Sequence, residues 1–306
     1  MNTIEPTDAP LRGFLNLNKP QGITSRDVVD LIARPLRRRK IKAGHAGTLD
    51  PLATGVLVVA LGAATRLVSY VQAQAKTYRA VVRLGATSSS DDADGAITET
   101  PNPPIPTRQA VIAALQSQVG TILQQPPIVS ALKVEGRRAY DLARKGEAID
   151  LAPRPVRIDR IECLAYEWPI LNIEVDCGSG TYIRSIARDV GQALGCGGLI
   201  ERLERTRIGP FRIEEAADPR MITPDSLPAL LQPMARALQD FPTCRLDPEQ
   251  AKRVSRGQSL AIDRLEGGPL EPGEVGLLGA DGELIAIGEV SPGRETIQPR
   301  KVLSGD

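Results

Sequence analysis

The sequence predicts an α+β protein: a large body of sheet and helix, then a small β-rich unit. Three observations carry that reading. The segments 76–84 and 171–177 alternate apolar and polar residues with the period of a half-buried strand. Stretches with helical periodicity and recognisable caps lie around them. Between 214 and 242 five prolines interrupt the pattern, and short alternating strands follow them. The expected division is therefore 1–240 and 241–306.

In order, 13–25 reads as a strand entering a Lys19-Pro20 turn. Thr24 then opens a helix through T-x-x-D, with Val28, Val29, Leu31 and Ile32 as its apolar stripe. The helix runs out in RPLRRRKIK, a basic run expected to abut the next loop as a phosphate-binding rim.

That loop, GHAGTLDPLATG at 44–55, holds the chain's one histidine, His45, and an acid, Asp50. The following proline keeps Asp50 in extended or turn geometry, and the glycines admit close backbone approach. An Asp-Pro usually marks a turn whose carboxylate bonds its own backbone. Here an apolar run, VLVVAL at 56–61, follows directly and is short enough for a buried strand. A loop anchored so firmly is a common seat for reactive groups.

Segment 76–84 places Tyr78, Ala80, Val82 and Leu84 on one strand face. The acidic loop GATSSSDDADG comes next; it lacks the spacing and final glutamate of an EF-hand loop, so no metal is expected there. Thr107 opens another helix. The stretch 126–149 mixes Lys133, Arg137, Arg138, Arg144 and Lys145 with Tyr140, a composition suited to a flap over a polyanion. After the strand 171–177, a GSG turn leads to a helix for which Thr181 is the expected N-cap. Arg184 falls in its first turn, the wrong end for a favourable dipole interaction, so an anionic partner such as a carboxylate is expected beside it. In the last unit, Asp247-Pro248 and Gln250 signal a helix start, and Asp281-Gly282 a hairpin turn.

Composition narrows the function classes. With 42% hydrophobic and 25% charged residues the chain has ample material for a core. Lys and Arg total 38 against 37 Asp and Glu, so only local clusters could attract a polyanion. Four cysteines without a C-x-x-C pair, beside a single histidine, argue against a zinc site or a disulfide scaffold. No signal peptide and no apolar run of about 18 residues is visible, which predicts a cytoplasmic protein with no membrane partner.

Taken together, KP-x-G-x-TS at 19–25, GHAGTLDPLATG at 44–55, KTYRA at 76–80, SALK-x-x-G at 130–136 and GSGTYIRSIARDVG at 178–191 resemble the TruB family of bacterial tRNA pseudouridine synthases. The likeness runs in order from about 12 to 215. It implies a pseudouridine-synthase fold with a mixed, mainly antiparallel sheet flanked by helices. An RNA-gripping insertion at about 124–150 and a PUA-like RNA-binding domain at 241–306 are also implied. By the same resemblance Asp50 is the catalytic acid, Tyr78 the active-site tyrosine, and Arg184 the arginine paired with Asp50. Tyr182 and Leu203 would contact the target nucleotide, His45 would enter the T-loop, and Lys19 and Lys133 would complete substrate binding. The partner implied is the T-arm of tRNA, with no guide RNA, no cofactor and a monomeric enzyme. Ser88-Ser89-Ser90 stands where the family shows threonines.

The residue types suit that chemistry. Pseudouridine formation breaks N1–C1′, rotates the uracil and rejoins it through C5, with no net oxidation. A carboxylate can serve by trapping a cation-like sugar or by taking the 2′ proton. An arginine at hydrogen-bonding range would lower the carboxylate's pKa and hold it ionised. Competing readings are a non-catalytic tRNA-binding or folding protein, a guide-dependent relative and a glycoside hydrolase; the last would want a second carboxylate and a water path.

Overall fold

The structure is a computed structural model of the 306-residue chain. It describes residues 11–129, the strand pairs at 133–134 and 137–138, and residues 151–261, 271–293 and 296–303. Most of the expected insertion, with the Lys133 side chain, lies outside the described residues.

The body is built on one mixed sheet. Its strands are β1 (Gly13–Lys19), β2 (Ala43–His45), β3 (Thr54–Leu61) and β4 (Lys76–Leu84), then β5 (Gly120–Gln124), β6 (Arg154–Glu167), β7 (Ile170–Cys177), β8 (Gly198–Ile208) and β9 (Phe211–Arg212). They run in the order β1-β3-β8-β4-β7-β6-β5, with β2 paired on β3 and β9 on β8. The β3–β8 pair is parallel and the other pairs are antiparallel. Helix α1 (Ser25–Leu36) lies on one flank; α2 (Ile183–Ala193) crosses β4 and β8. This is the mixed, mainly antiparallel α+β arrangement expected.

β3 explains why its sequence is apolar at every position from Val56 to Leu61. Val56, Val58 and Ala60 face one core with Phe14, Ile208 and Phe211, whereas Leu57, Val59 and Leu61 face another with Val28, Val29 and Ile32 of α1. A strand covered on both faces loses the alternation that marks a half-exposed one. The Thr24 capping box holds the start of α1: Asp27 N–H donates to Thr24 Oγ1 (3.1 Å) and Thr24 N–H to Asp27 Oδ2 (2.8 Å).

The expected cap of α2 moves by one residue. Tyr182 is the N-cap, and the Thr181 hydroxyl instead donates to Gly178 O across the preceding turn (3.2 Å). Gln124 takes the cap's place, accepting from Tyr182 N–H (2.8 Å) and donating to Tyr182 O (3.0 Å). The basic run is also displaced from its expected place. Lys42 O accepts from Gly62 N–H (2.8 Å), at the far end of β3 from Asp50. Because β2 and β3 run antiparallel, the chain passes the whole length of β3 between the run and the acid.

A second sheet follows at 243–245, 260–261, 273–278, 284–290 and 296–302, with the helix Pro248–Ser255 between its first two strands in sequence and Asp247 and Gln250 in a capping box. Leu284, Ile287 and Leu303 of this unit belong to the same core as Val56, Val58 and Phe14 of the body. Among the described residues no helix is long and apolar enough to cross a membrane.

Gly55 marks a tight crossing. Its φ is +99°, and an added Cβ would meet Arg205 O at 2.3 Å, where β3 and β8 run in parallel. Gly55→Ala should destabilise the fold by more than about 2 kcal/mol, read as a lowered midpoint in urea.

Candidate active site

A cleft of about 640 Å³ opens where the parallel β3–β8 pair begins, and Asp50, Tyr78, Tyr182, Arg184 and Leu203 all line it. The loop before β3, β4, the start of α2, and β8 each contribute to this lining. Sequence-distant residues thus converge on one opening.

The loop carrying Asp50 is clamped by side chains on both sides. Ser25, at the start of α1, bridges Leu49: its hydroxyl accepts from Leu49 N–H (2.8 Å) and donates to Leu49 O (3.1 Å). Lys19 donates to Ala53 O (2.7 Å), Pro20 O (2.9 Å) and Pro51 O (3.3 Å). Arg205 reaches from β8 to Val56 O (2.8 Å) and Gly47 O (3.1 Å). Three donors from separate elements therefore fix the loop's carbonyls, which a glycine-rich segment could not fix alone.

Lys19 was expected among the substrate contacts. It is instead 0% exposed, and its ammonium is spent on two carbonyls of the loop, Pro51 O and Ala53 O, and on Pro20 O, so it braces the loop from behind. Burial lowers its pKa to about 8, with the nearby Asp50 charge acting the other way. His45 ends β2 opposite Val59 and lies outside the cleft lining.

Arg184 has the anionic partner its position called for, and a second one. Its Nη2 lies 2.9 Å from Asp50 Oδ2 and its Nη1 3.2 Å from Asp92 Oδ2. The same guanidinium donates to Ser90 O (2.8 Å) and Val129 O (2.9 Å). Its side chain is 4% exposed, whereas that of Asp50 retains 38%, so the carboxylate presents a free side to the cleft. The acidic loop thus serves the arginines of α2: Asp92 takes Arg184, and Asp91 takes Arg188 at 2.9 Å. Within that loop Ser90 Oγ donates to Asp92 Oδ1, and Ser89 Oγ accepts from Ala96 N–H.

The electrostatic balance differs from the sequence expectation. Burial pushes the Asp50 carboxyl above the usual carboxylate range; Arg184 and Lys19 pull it down, and Asp92 adds to the upward push. The arginine limits the rise but does not reverse it, because burial outweighs its pull. Burial likewise raises the Tyr78 hydroxyl, opposed by Arg205, so at neutral pH Tyr78 is a phenol.

Three further cations around the cleft were not read from the sequence as site residues. Arg205 is 1% exposed, yet its place in the Leu203-x-Arg205 alternation of a strand was an available sign that it points inward. Lys76 lines the cleft with Nζ bonded to Gln72 O and Gln74 O (2.8 Å each), and burial lowers its pKa to about 8. Arg154 lies over the Tyr182 ring at 5.0 Å, a cation–π contact that steadies the aromatic wall.

Family comparison agrees with this geometry. The TruB family pseudouridylate synthase N-terminal domain matches residues 34–183, and the tRNA pseudouridylate synthase B C-terminal domain matches 184–239. The chain belongs to the TruB family. The tRNA pseudouridine synthase B of Gluconacetobacter diazotrophicus is 45% identical over 264 residues, covering 84% of this chain and 85% of that one. The protein of the same name from Xanthomonas campestris is 40% identical over 310 residues, covering 98% and 96%. Among solved structures, an H/ACA RNP bound to a substrate RNA containing 2′-deoxyuridine superposes with a TM-score of 0.74 at 26% identity, covering 96% of this chain and 85% of that one. A Cbf5-Nop10-Gar1 complex gives 0.74 at 27% identity, covering 95% and 84%. The pseudouridine-synthase fold and the TruB resemblance are both borne out.

Because the fold raises the Asp50 pKa, holding the ionised carboxylate costs stability above that pKa, and the cost fades as the pH falls towards the unfolded value near 4. Asp50→Asn, which leaves Arg184 paired with Asp92, should therefore show a Tm at pH 7.5 equal to or above wild type. The difference should shrink at pH 5, as followed by calorimetry.

Proposed function

We propose that this TruB-family chain isomerises uridine 55 in the T-loop of tRNA to pseudouridine, acting as a cytoplasmic monomer with neither cofactor nor guide RNA. The observation that carries the reading is a carboxylate, Asp50, fixed by a buried arginine with one side open to a cleft that Tyr78 and Leu203 also line. Residues 1–240 serve as the catalytic part, and 241–306 as a PUA-like RNA-binding part.

The target uridine leaves its stack at a cost of roughly a few kcal/mol. Stacking on Tyr78 returns about 1–3 kcal/mol, and Leu203 and Tyr182 enclose the base. A T-loop suits such a site because it is recognised as a folded shape with splayed bases. Asp50 then acts in its ionised form, whether it attacks C1′ or takes the 2′ proton. Arg184 keeps that form accessible although burial opposes it. No water has to enter, so a single carboxylate is enough. Once the uracil has turned and rejoined through C5, the C5 proton leaves. Tyr78, held as a phenol, takes that proton on its hydroxyl oxygen as its own phenolic proton passes to water in the open cleft, so it relays the proton and is not a resident base. His45 and Lys133 are assigned to the RNA around the loop.

The test is tritium release from [5-³H]uridine-labelled tRNA transcript by the chain alone. Wild type should release one tritium per tRNA without added RNA. Asp50→Asn should be slower by on the order of 10⁴-fold or more, and a transcript lacking uridine 55 should release none. Release by Asp50→Asn at the wild-type rate would refute the role of the acid; tRNA binding without release would leave a binding or folding protein.

The raised carboxyl sets the acid limb. The single-turnover rate should rise with pH through an apparent pKa above the ordinary aspartate value of about 3.9. Arg184→Gln should move that limb to higher pH, because it removes the cation that opposes burial. An unmoved limb would show that another group titrates.

A further inference from the structure

Two arginines are buried beside the catalytic cleft, and their surroundings differ. Arg184 is neutralised by Asp50 and Asp92. Arg205, 1% exposed, ends on Val56 O (2.8 Å), Gly47 O (3.1 Å) and Thr48 O (3.5 Å), and among the described residues no carboxylate pairs with it. A buried guanidinium held by carbonyl dipoles keeps a full charge that the resting fold does not neutralise. Lys76 feels that charge: burial above all, and then Arg205, lower its pKa to about 8.

The sheet aims this charge at Tyr78. In the antiparallel β4–β8 pair Arg205 and Tyr78 stand directly opposite each other, so their side chains leave the sheet on the same face. Both line the cleft. After burial, which raises the Tyr78 hydroxyl, Arg205 is the largest influence on that group, pulling it down by its charge and by a hydrogen bond. One guanidinium therefore clamps the loop of Asp50 and also contacts the tyrosine across the ladder.

We infer that Arg205 is a further positioning residue of the reaction, one that holds the Tyr78 oxygen and stabilises the negative charge it carries while the C5 proton is relayed. The inference rests on the proposed pseudouridine synthesis. Once the uracil has rejoined through C5, that carbon still bears its hydrogen beside the C4 carbonyl. The C5–H bond breaks, its electrons restore the C5=C6 bond, the C6=N1 pair returns to N1, and N1 takes a proton from water. The C5 proton goes to the Tyr78 oxygen, whose own phenolic proton leaves for water. A phenol that gained the new proton first would become an oxonium beside a buried cation, which like charge opposes. With Arg205 opposite, the phenolic proton leaves first and the oxygen is briefly negative. A cation fixed beforehand by the loop carbonyls stabilises such a charge with no reorganisation at the moment of reaction.

The test compares Arg205→Gln, which removes the charge, with Arg205→Lys, which keeps the charge but loses the planar fork of donors. Single-turnover pseudouridine formation would be timed at saturating enzyme on tRNA transcripts made with uridine or with [5-²H]uridine. Arg205→Gln should be slower by on the order of 10²-fold. It should also show a C5 isotope effect larger than that of wild type, because the relay has become the slow step. Arg205→Lys should fall between the two in both readings, and it decides alone if Arg205→Gln does not fold. Variants slowed equally on both substrates, with no isotope effect beyond that of wild type, would mark Arg205 as a brace of the loop and overturn the inference; so would a wild-type rate. Failure of wild type to form pseudouridine at all would refute the proposed function instead.

Discussion

One buried guanidinium holds the candidate site together. Arg184 sits between two carboxylates that come from loops about forty residues apart in sequence, and it would be an uncompensated buried charge without them. Burial drives the Asp50 carboxyl upward in pKa, and Asp92, sharing the one cation, adds to that push while Arg184 fixes the group in place and opposes it. An arginine serving Asp50 alone would hold a more acidic and less reactive group. The second acid, Asp92, therefore tunes the first without touching the cleft; it is absent from the lining.

That arrangement requires a loop that does not move, and the sheet supplies it. Lys19 from β1, Ser25 from α1 and Arg205 from β8 all end on backbone atoms of the segment 47–56. Polar side chains thereby replace the ladder bonds that an irregular loop cannot make. The parallel β3–β8 contact brings Arg205 and the loop into register, and Gly55 permits the approach.

Much of this was legible in the residues. The α+β pattern, the Thr24 and Asp247 caps, the Asp-Gly hairpin and the buried run before Leu61 follow from local chemistry, and local chemistry is what periodicity reports. The partner of Arg184 was legible as a kind, because a cation at a helix start is out of place, but Asp92 was hidden in an acidic loop that was weighed only as a metal-binding run. Lys19 and Arg205 were misread or missed for one reason. Their partners are carbonyls, which carry no signature in sequence, and Arg205 binds carbonyls nearly 150 positions away. The basic run failed differently: a few residues of separation in sequence become a whole strand length when two strands run antiparallel.

β3 has one more consequence. Leu284, Ile287 and Leu303 of the last unit share one hydrophobic core with Val56, Val58 and Ala60, on the strand whose other side carries α1. A module joined through a shared hydrophobic layer cannot be detached like a bead on a string. Cutting it away would remove part of the core that packs one face of the strand following directly on the Asp50 loop. The shortened chain would then tend to self-associate or depend on chaperones, and loss of activity in it would report on the catalytic loop as much as on RNA binding. Any tolerated change in the terminal unit is therefore constrained by interior packing as well as by what its surface touches.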